Sequence, residues 1–449
     1  MNGRRPLTGE RQPGSLARWL KPGIGIKRWL AVVFLGELLL ALAMSLVIRQ
    51  VYRDLPPNHP LTALLDQFSL QFLPVELRPL VLFGVGFVIF LFGVWRLFRA
   101  LLAPFRVPDE PLVERLFQMR WRARGPRIVA IGGGTGLSSL LRGLKELTSN
   151  ITAVVTVADD GGSSGKLREE LGVPPMGDIR NCIAALADAE PAMTRLLQYR
   201  FPKANGHESE GLEGHAFGNL LIAAMTDIQG DFEEAVRQSN RVLAVRGKVV
   251  PAAPETVTLH AELHDGDVLD GQSRIGRARG ISRVWITPEE VRACQEATEA
   301  IAAADLIVLG PGSLYTSLLP NLLVPGIRTA LEQSPAPRLY VCNVATQVGE
   351  TEGYTLADHL AALRAHGLEG LIDGVLVNNN FGARAPEQYP AAPVKIDVAL
   401  RAGRGPVIIL RDIVDDDNAH HHDPRKLAAT VLSLYEERVL RRARAAQRA

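Results

Sequence analysis

From Arg127 onward, short apolar runs rich in β-branched residues alternate with helical patterns, and this limits the possible folds more than any other feature. Residues 127–131, 151–158, 306–309, 339–344, 374–377 and 407–410 read as buried strands, with helices between most of them. Strands spaced by helices predict an α/β domain, 127–449, with a mostly parallel sheet covered on both faces. One segment breaks the rhythm. Residues 257–263, the turn His264-Asp265-Gly266-Asp267, and Val268-Leu269 read as a β-hairpin inserted over about 247–286. Just after it, Thr287, Pro288 and Glu290 carry the pattern of a capping box, which predicts a helix start at Pro288.

The chain upstream has a different character. Residues 29–48 hold a single charge, Glu37, and residues 80–98 hold only Arg96. A helix of 20 residues rises about 30 Å, the thickness of the hydrocarbon core, so both runs are expected to span a membrane. Seven Lys or Arg precede the first run, Arg4, Arg5, Arg11, Arg18, Lys21, Lys27 and Arg28, and the segment 99–126 is again rich in Arg. The loop between the runs holds only Arg49, Arg53 and Arg78, so both termini and the main domain are expected on the cytoplasmic side. This predicts an N-terminal anchor over 1–98, then a basic linker over 99–126.

Over all 449 residues the formal net charge is only +2, which gives no reason to expect nucleic acid as a partner. Cys182, Cys294 and Cys342 are widely spaced and form no CxxC pair, so neither a disulfide framework nor a thiolate zinc site is expected.

The chemistry is expected in the turns that leave the strands. Gly132-Gly133-Gly134-Thr135-Gly136 joins the first strand to its helix, where bare backbone N–H groups and the helix N-terminus suit an anion. Leu137 spoils the GxGxxG spacing of a dinucleotide fingerprint. The next strand ends in Asp159-Asp160-Gly161-Gly162-Ser163-Ser164-Gly165-Lys166. Its two adjacent carboxylates could hold Mg²⁺, or Asp159 could accept hydrogen bonds from ribose hydroxyls. Arg180, beside Asn181, is a candidate phosphate clamp, with Asp178 equally explicable as a helix cap; His215 and Asn219 lie in a third polar loop. Gly310-Pro311-Gly312-Ser313-Leu314-Tyr315 is a second glycine loop in the same context as the first. Asn343 closes a strand at the same sheet edge, so these groups are expected to converge on one crevice. His420, His421 and His422 read as a solvated loop, because consecutive histidines cannot face one ion from a single helix face. No nucleophile paired with a base is evident.

The ordered strings GGGTG at 132–136, ADDGGSSGKLR at 158–168, GDIRN at 177–181, GHAFGNL at 214–220, GPGSLYTSLLPNLLVPGI at 310–327 and CNVATQVGETEGYTLADHL at 342–360 resemble the gluconeogenesis-factor family, which is related to the 2-phospho-L-lactate transferases. The resemblance implies a Rossmann-like fold that binds UDP-sugars such as UDP-N-acetylglucosamine. It also implies a regulatory role in cell shape and envelope precursor supply during gluconeogenic growth, with an enzyme of amino-sugar synthesis as partner and a homo-oligomeric state. The related transferases use Mg²⁺, and from them Asp159 and Asp160 would be metal or substrate carboxylates. The string GGSSG directly after that pair departs from the transferase pattern.

Overall fold

The structure, a computed structural model, describes residues 74, 77–102, 112–188, 190–202, 211–368, 370–384, 391–397 and 405–437, with scattered positions between 34 and 53. It divides into two units, Met1–Arg120 and Trp121–Ala449.

In the first unit, the second apolar run lies in the helix Arg78–Leu102. Leu80, Phe83, Val88, Ile89 and Phe92 are exposed there. The first run falls largely outside the described residues. Counting described residues alone, no helix is long and apolar enough to cross a membrane.

Among its described residues the second unit is built on ten strands. In chain order they are β1 (Ile128–Gly132), β2 (Ile151–Val155), β3 (Lys248–Pro251), β4 (Thr258–Leu263), β5 (Val268–Asp270), β6 (Ile281–Thr287), β7 (Leu306–Leu309), β8 (Arg338–Val341), β9 (Gly374–Asn378) and β10 (Val407–Arg411). Seven of them form one sheet in the order β10-β9-β8-β7-β1-β2-β3, and every pairing in it is parallel. β1, β7, β8 and β9 are buried at every residue, which is why they read as continuous apolar runs rather than alternating ones. The order places successive strands outward from β1 on one side, then outward from β1 on the other. This is the Rossmann-like arrangement, and its reversal lies between β1 and β7.

Two expectations need correcting. The insertion is a separate three-stranded antiparallel sheet, β5-β4-β6, rather than a lone hairpin, and it starts only after β3. Lys248–Pro251 pairs in parallel with β2 in the main sheet, so 247–251 belongs to the core. The capping pattern at Thr287 also misleads. Thr287 stays in β6, paired with Thr258, and the helix begins at Gln295 behind Cys294. Strand pairing of the threonine backbone outcompetes a local cap that satisfies only terminal N–H groups.

Candidate functional site

The turns after β1 and β7 leave adjacent strand ends and touch. Gly310 donates its N–H to the Ile131 carbonyl at 2.8 Å, and Asn321 Nδ2 donates to the Gly132 carbonyl at 3.0 Å and to Ser317 O at 2.7 Å. A Cβ at Gly136 would lie 3.0 Å from the Gly312 nitrogen and from the Pro311 carbonyl. Gly312, at φ +154°, occupies backbone space that L-residues rarely adopt, and a side chain there would press on the Gly133 carbonyl. The second turn is held from the loop after β8. Asn343 Oδ1 accepts from Gly312 N at 3.4 Å, and Ser313 donates its hydroxyl proton to Gln347 Oε1 at 2.7 Å. Buried Glu350 accepts from the N–H of Tyr315 at 2.5 Å, from the N–H of Thr316 at 3.0 Å and from its hydroxyl at 2.9 Å. These bonds fix the start of a π-helical turn, Leu314–Leu318. Beside the two turns opens a cavity of about 630 Å³, lined by Gly133, Gly134, Thr135, Gly136, Gly312, Ser313 and Asn343 and also by Asn418 and His420, His421 and His422. That volume suits a small-molecule ligand.

Beside the first turn lies a second polar group. Ser163 Oγ accepts from Ala216 N and from Asn219 Nδ2, both at 3.1 Å, and contacts His215 Nδ1 at 3.3 Å. Asn219 Nδ2 also reaches Ser164 Oγ at 3.3 Å, while Arg180 donates to Asn219 Oδ1 at 3.0 Å and to Asn181 Oδ1 at 3.1 Å. Asp159 accepts from Gly161 N at 2.9 Å and from the Ser164 hydroxyl. Ser163, Ser164, Arg180, Asn181, His215 and Asn219 are therefore brought together as the sequence suggested, but His215, Ser163 and Asn219 are buried supports of the loops.

Asp160 is tied to the insertion. Asp160 Oδ1 accepts from Ser273 N at 2.8 Å, anchoring the antiparallel insertion, and no group of three or more acid, histidine or cysteine side chains suited to a metal occurs among the described residues. Burial, and after it the neighbouring Asp160 charge, raises Asp159, and the Asp159 charge also acts on Asp178, which accepts from the Gly134 N–H and whose Oδ2 is sealed from solvent without a partner. Burial first, and the Asp159 charge second, push Asp178 up to about 7. Burial also pushes Glu350 up to about 7, against the hydrogen bonds from Thr316 and Tyr315. Asp178 is not the N-cap of its own helix, where Met176 stands; its carboxylate instead accepts from the N–H of Gly134, the first residue of the helix Gly134–Leu144. Tyr315 does not line the cavity; its hydroxyl shares a 3.0 Å hydrogen bond with that of Tyr354. The solvated-loop reading is corrected for His422, which is buried, whereas His421 is exposed; all three line the cavity. A histidine run carries no sequence signal of which sheet edge its turn will reach.

Both raised acids have a consequence for pH. Each binds its proton in the folded state up to about pH 7 but releases it near pH 4 when unfolded, so folding stability is greatest below pH 4 from this source. It should fall as pH rises from about 4 to about 7, by at most about 1.4 kcal/mol per pH unit per group. Urea midpoints at several pH values check this. Asp178→Asn should flatten the slope, and an unchanged slope would refute the assignment.

A family profile described as 2-phospho-L-lactate transferase CofD matches residues 128–414. A Bacillus subtilis protein named gluconeogenesis factor is 50% identical over 318 residues, covering 70% of this chain and 99% of that protein. A Nostoc relative classed with the same factors is 46% identical over 431 residues, covering 93% of this chain and 92% of its own, so the similarity there extends into the N-terminal unit. The crystal structure of a UPF0052-family protein from Bacillus halodurans superposes with a TM-score of 0.63 at 46% identity, covering 69% of this chain and 99% of that one. With the glycine-loop crevice, the strand order and these relatives in agreement, the chain belongs to the gluconeogenesis-factor family, whose main domain is CofD-like.

Proposed function

We propose that the crevice binds a diphosphate-bearing nucleotide, best a UDP-sugar of the UDP-N-acetylglucosamine kind, and that the protein is a regulator rather than a catalyst. The observation that carries this reading is the convergence of two glycine-rich turns at the sheet's point of reversal, where a helix start and the turn N–H groups not already bonded within the protein favour an anion. In this reading the ligand state controls docking to an enzyme of amino-sugar synthesis and thereby envelope precursor supply and cell shape, with the protein acting as a homo-oligomer. The two apolar runs at 29–48 and 80–98 would tether it to the membrane, with the domain on the cytoplasmic side. Mg²⁺ enters only as a companion of the ligand's phosphates near Asp159, since Asp160 is engaged elsewhere.

At a hundredfold excess over its dissociation constant, such a ligand should stabilise the domain by about 2.7 kcal/mol. Thermal unfolding with a panel of UDP-sugars, NAD and GTP, each with Mg²⁺ or with EDTA, measures it. A panel in which no UDP-sugar raises the midpoint sinks the reading. The matching transferase profile favours a second one, Mg²⁺-dependent transfer of a phospho group. A metal-dependent product that disappears in Asp159→Asn would establish it instead.

A further inference from the structure

Among the described residues that line the cavity there is no Lys, Arg, Asp or Glu. On the side of the second glycine turn its polar lining includes two carboxamides, Asn343 and Gln347, four residues apart in the loop after β8. Each has its oxygen tied down. The Gly312 N–H can only donate, so it is Asn343 Oδ1 that faces it, and Gln347 Oε1 accepts the Ser313 hydroxyl proton at 2.7 Å. Consecutive residues of one turn hold the two oxygens, so both carboxamides lie on the same stretch of wall. Both side chains are half-buried, and their NH₂ groups donate to no described residue. Donors oriented in this way in a cavity wall match an acceptor on whatever enters it.

What lies behind each turn decides whether that acceptor is charged. Behind the second turn, buried Glu350 takes the N–H groups of Tyr315 and Thr316 and the Thr316 hydroxyl. A phosphate there would meet neutral amides, no cation and a buried acid, which is a poor site for an anion. Behind the first turn, Asp178 takes only the Gly134 N–H. Thr135 and Gly136 follow it at the start of the helix Gly134–Leu144, where N–H groups have no acceptor within the helix and Gly133 supplies no side-chain cap. The anion therefore belongs on the first turn, and a neutral acceptor, such as an amide-type carbonyl oxygen, belongs on the wall of the second.

We propose that Asn343 and Gln347 read a neutral carbonyl oxygen that the ligand carries beyond its phosphates, of the kind found in a pyrimidine base or an acetamido group. The inference rests on the phosphate-crevice reading and adds a specificity pair to it. The test uses the full chain in detergent with four probes: inorganic pyrophosphate, UDP, UDP-glucose and UDP-N-acetylglucosamine. Gln347→Met keeps the length of the side chain but removes its donor. It should weaken UDP-N-acetylglucosamine by about fivefold or more while leaving pyrophosphate within about twofold. A loss already seen with UDP assigns the carbonyl to the base, and a loss confined to UDP-N-acetylglucosamine assigns it to the acetamido group. A loss shared by UDP-glucose but absent from UDP would point to sugar hydroxyls and overturn the carbonyl assignment. Unchanged affinity for UDP-N-acetylglucosamine, or an equal loss for pyrophosphate, overturns the proposal as a whole. If the unaltered protein binds none of the probes, the phosphate crevice itself is refuted and this inference falls with it. Should Gln347→Met fail to fold, Gln347→Asn, which draws the carboxamide back by one methylene, should still shift the ratio of nucleotide-sugar to pyrophosphate affinity by about threefold. An unmoved ratio counts against Gln347.

Discussion

Gly143→Ala should destabilise the main domain by about 3 kcal/mol, although a glycine-to-alanine change inside a helix ordinarily stabilises by about 1 kcal/mol. Gly143 sits where the helix Gly134–Leu144, which opens from the first glycine turn, crosses the start of the helix Pro424–Glu436. A Cβ there would overlap the Pro424 carbonyl and lie 2.6 Å from the Ala428 Cβ. The obstacle is backbone, so no rotamer relieves it. The helices must move apart and loosen packing around Leu140, Leu141, Leu427 and Val431, all buried. Urea unfolding measures the effect, and a stabilised variant would show that this crossing is not tight. The same two helices carry the first glycine turn and the histidine turn, so the affinity of any ligand held in the cavity should fall alongside stability.

Asp373→Asn should cost about 3–5 kcal/mol, because it strands a buried guanidinium. Arg338 and Asp373 are 6% and 1% exposed at their side chains and pair at the start of β8 and just ahead of β9. The Asp373 carboxylate accepts from Arg338 N at 2.8 Å, Nε at 3.2 Å and an η nitrogen at 3.3 Å, while the guanidinium also reaches Leu331 O at 3.1 Å and Gly370 O at 3.2 Å. The pair lies at the amino ends of the strands, away from the cavity at their carboxyl ends. Its loss should therefore leave the affinity of the remaining folded protein unchanged. Replacing both residues by apolar ones of similar size should recover most of the loss, as it does for many buried ion pairs. If Asp373→Asn unfolds at the parent's denaturant midpoint, the pair does not carry this weight.

These two sites also show what the sequence could and could not disclose. Strand positions were legible because a parallel sheet buried on both faces leaves continuous apolar runs, and the glycine turns were legible because each follows such a run directly. Their convergence followed from the sheet's geometry alone. The partners of the acids did not follow. Asp160 turns to Ser273 in the insertion and Asp178 sits below Gly134, contacts set by how distant segments pack. A cap and a buried acid look the same in a string of letters. Thr287 misled for a related reason, since its capping pattern is local whereas its pairing with Thr258 is not. His420 to His422 were hidden by the same kind of distance: only the docking of the last described helix brings them to the cavity.

The cavity draws its walls from residues 133–136, 312–313 and 418–422, so its parts are spread over nearly the whole domain. Synthesis must therefore pass residue 422 before the pocket is complete. Shortened products that end before the histidine turn would keep both glycine turns yet lack that part of the wall. A ligand seated in the cavity would therefore act as a clasp joining the first glycine turn to the histidine turn nearly three hundred residues later.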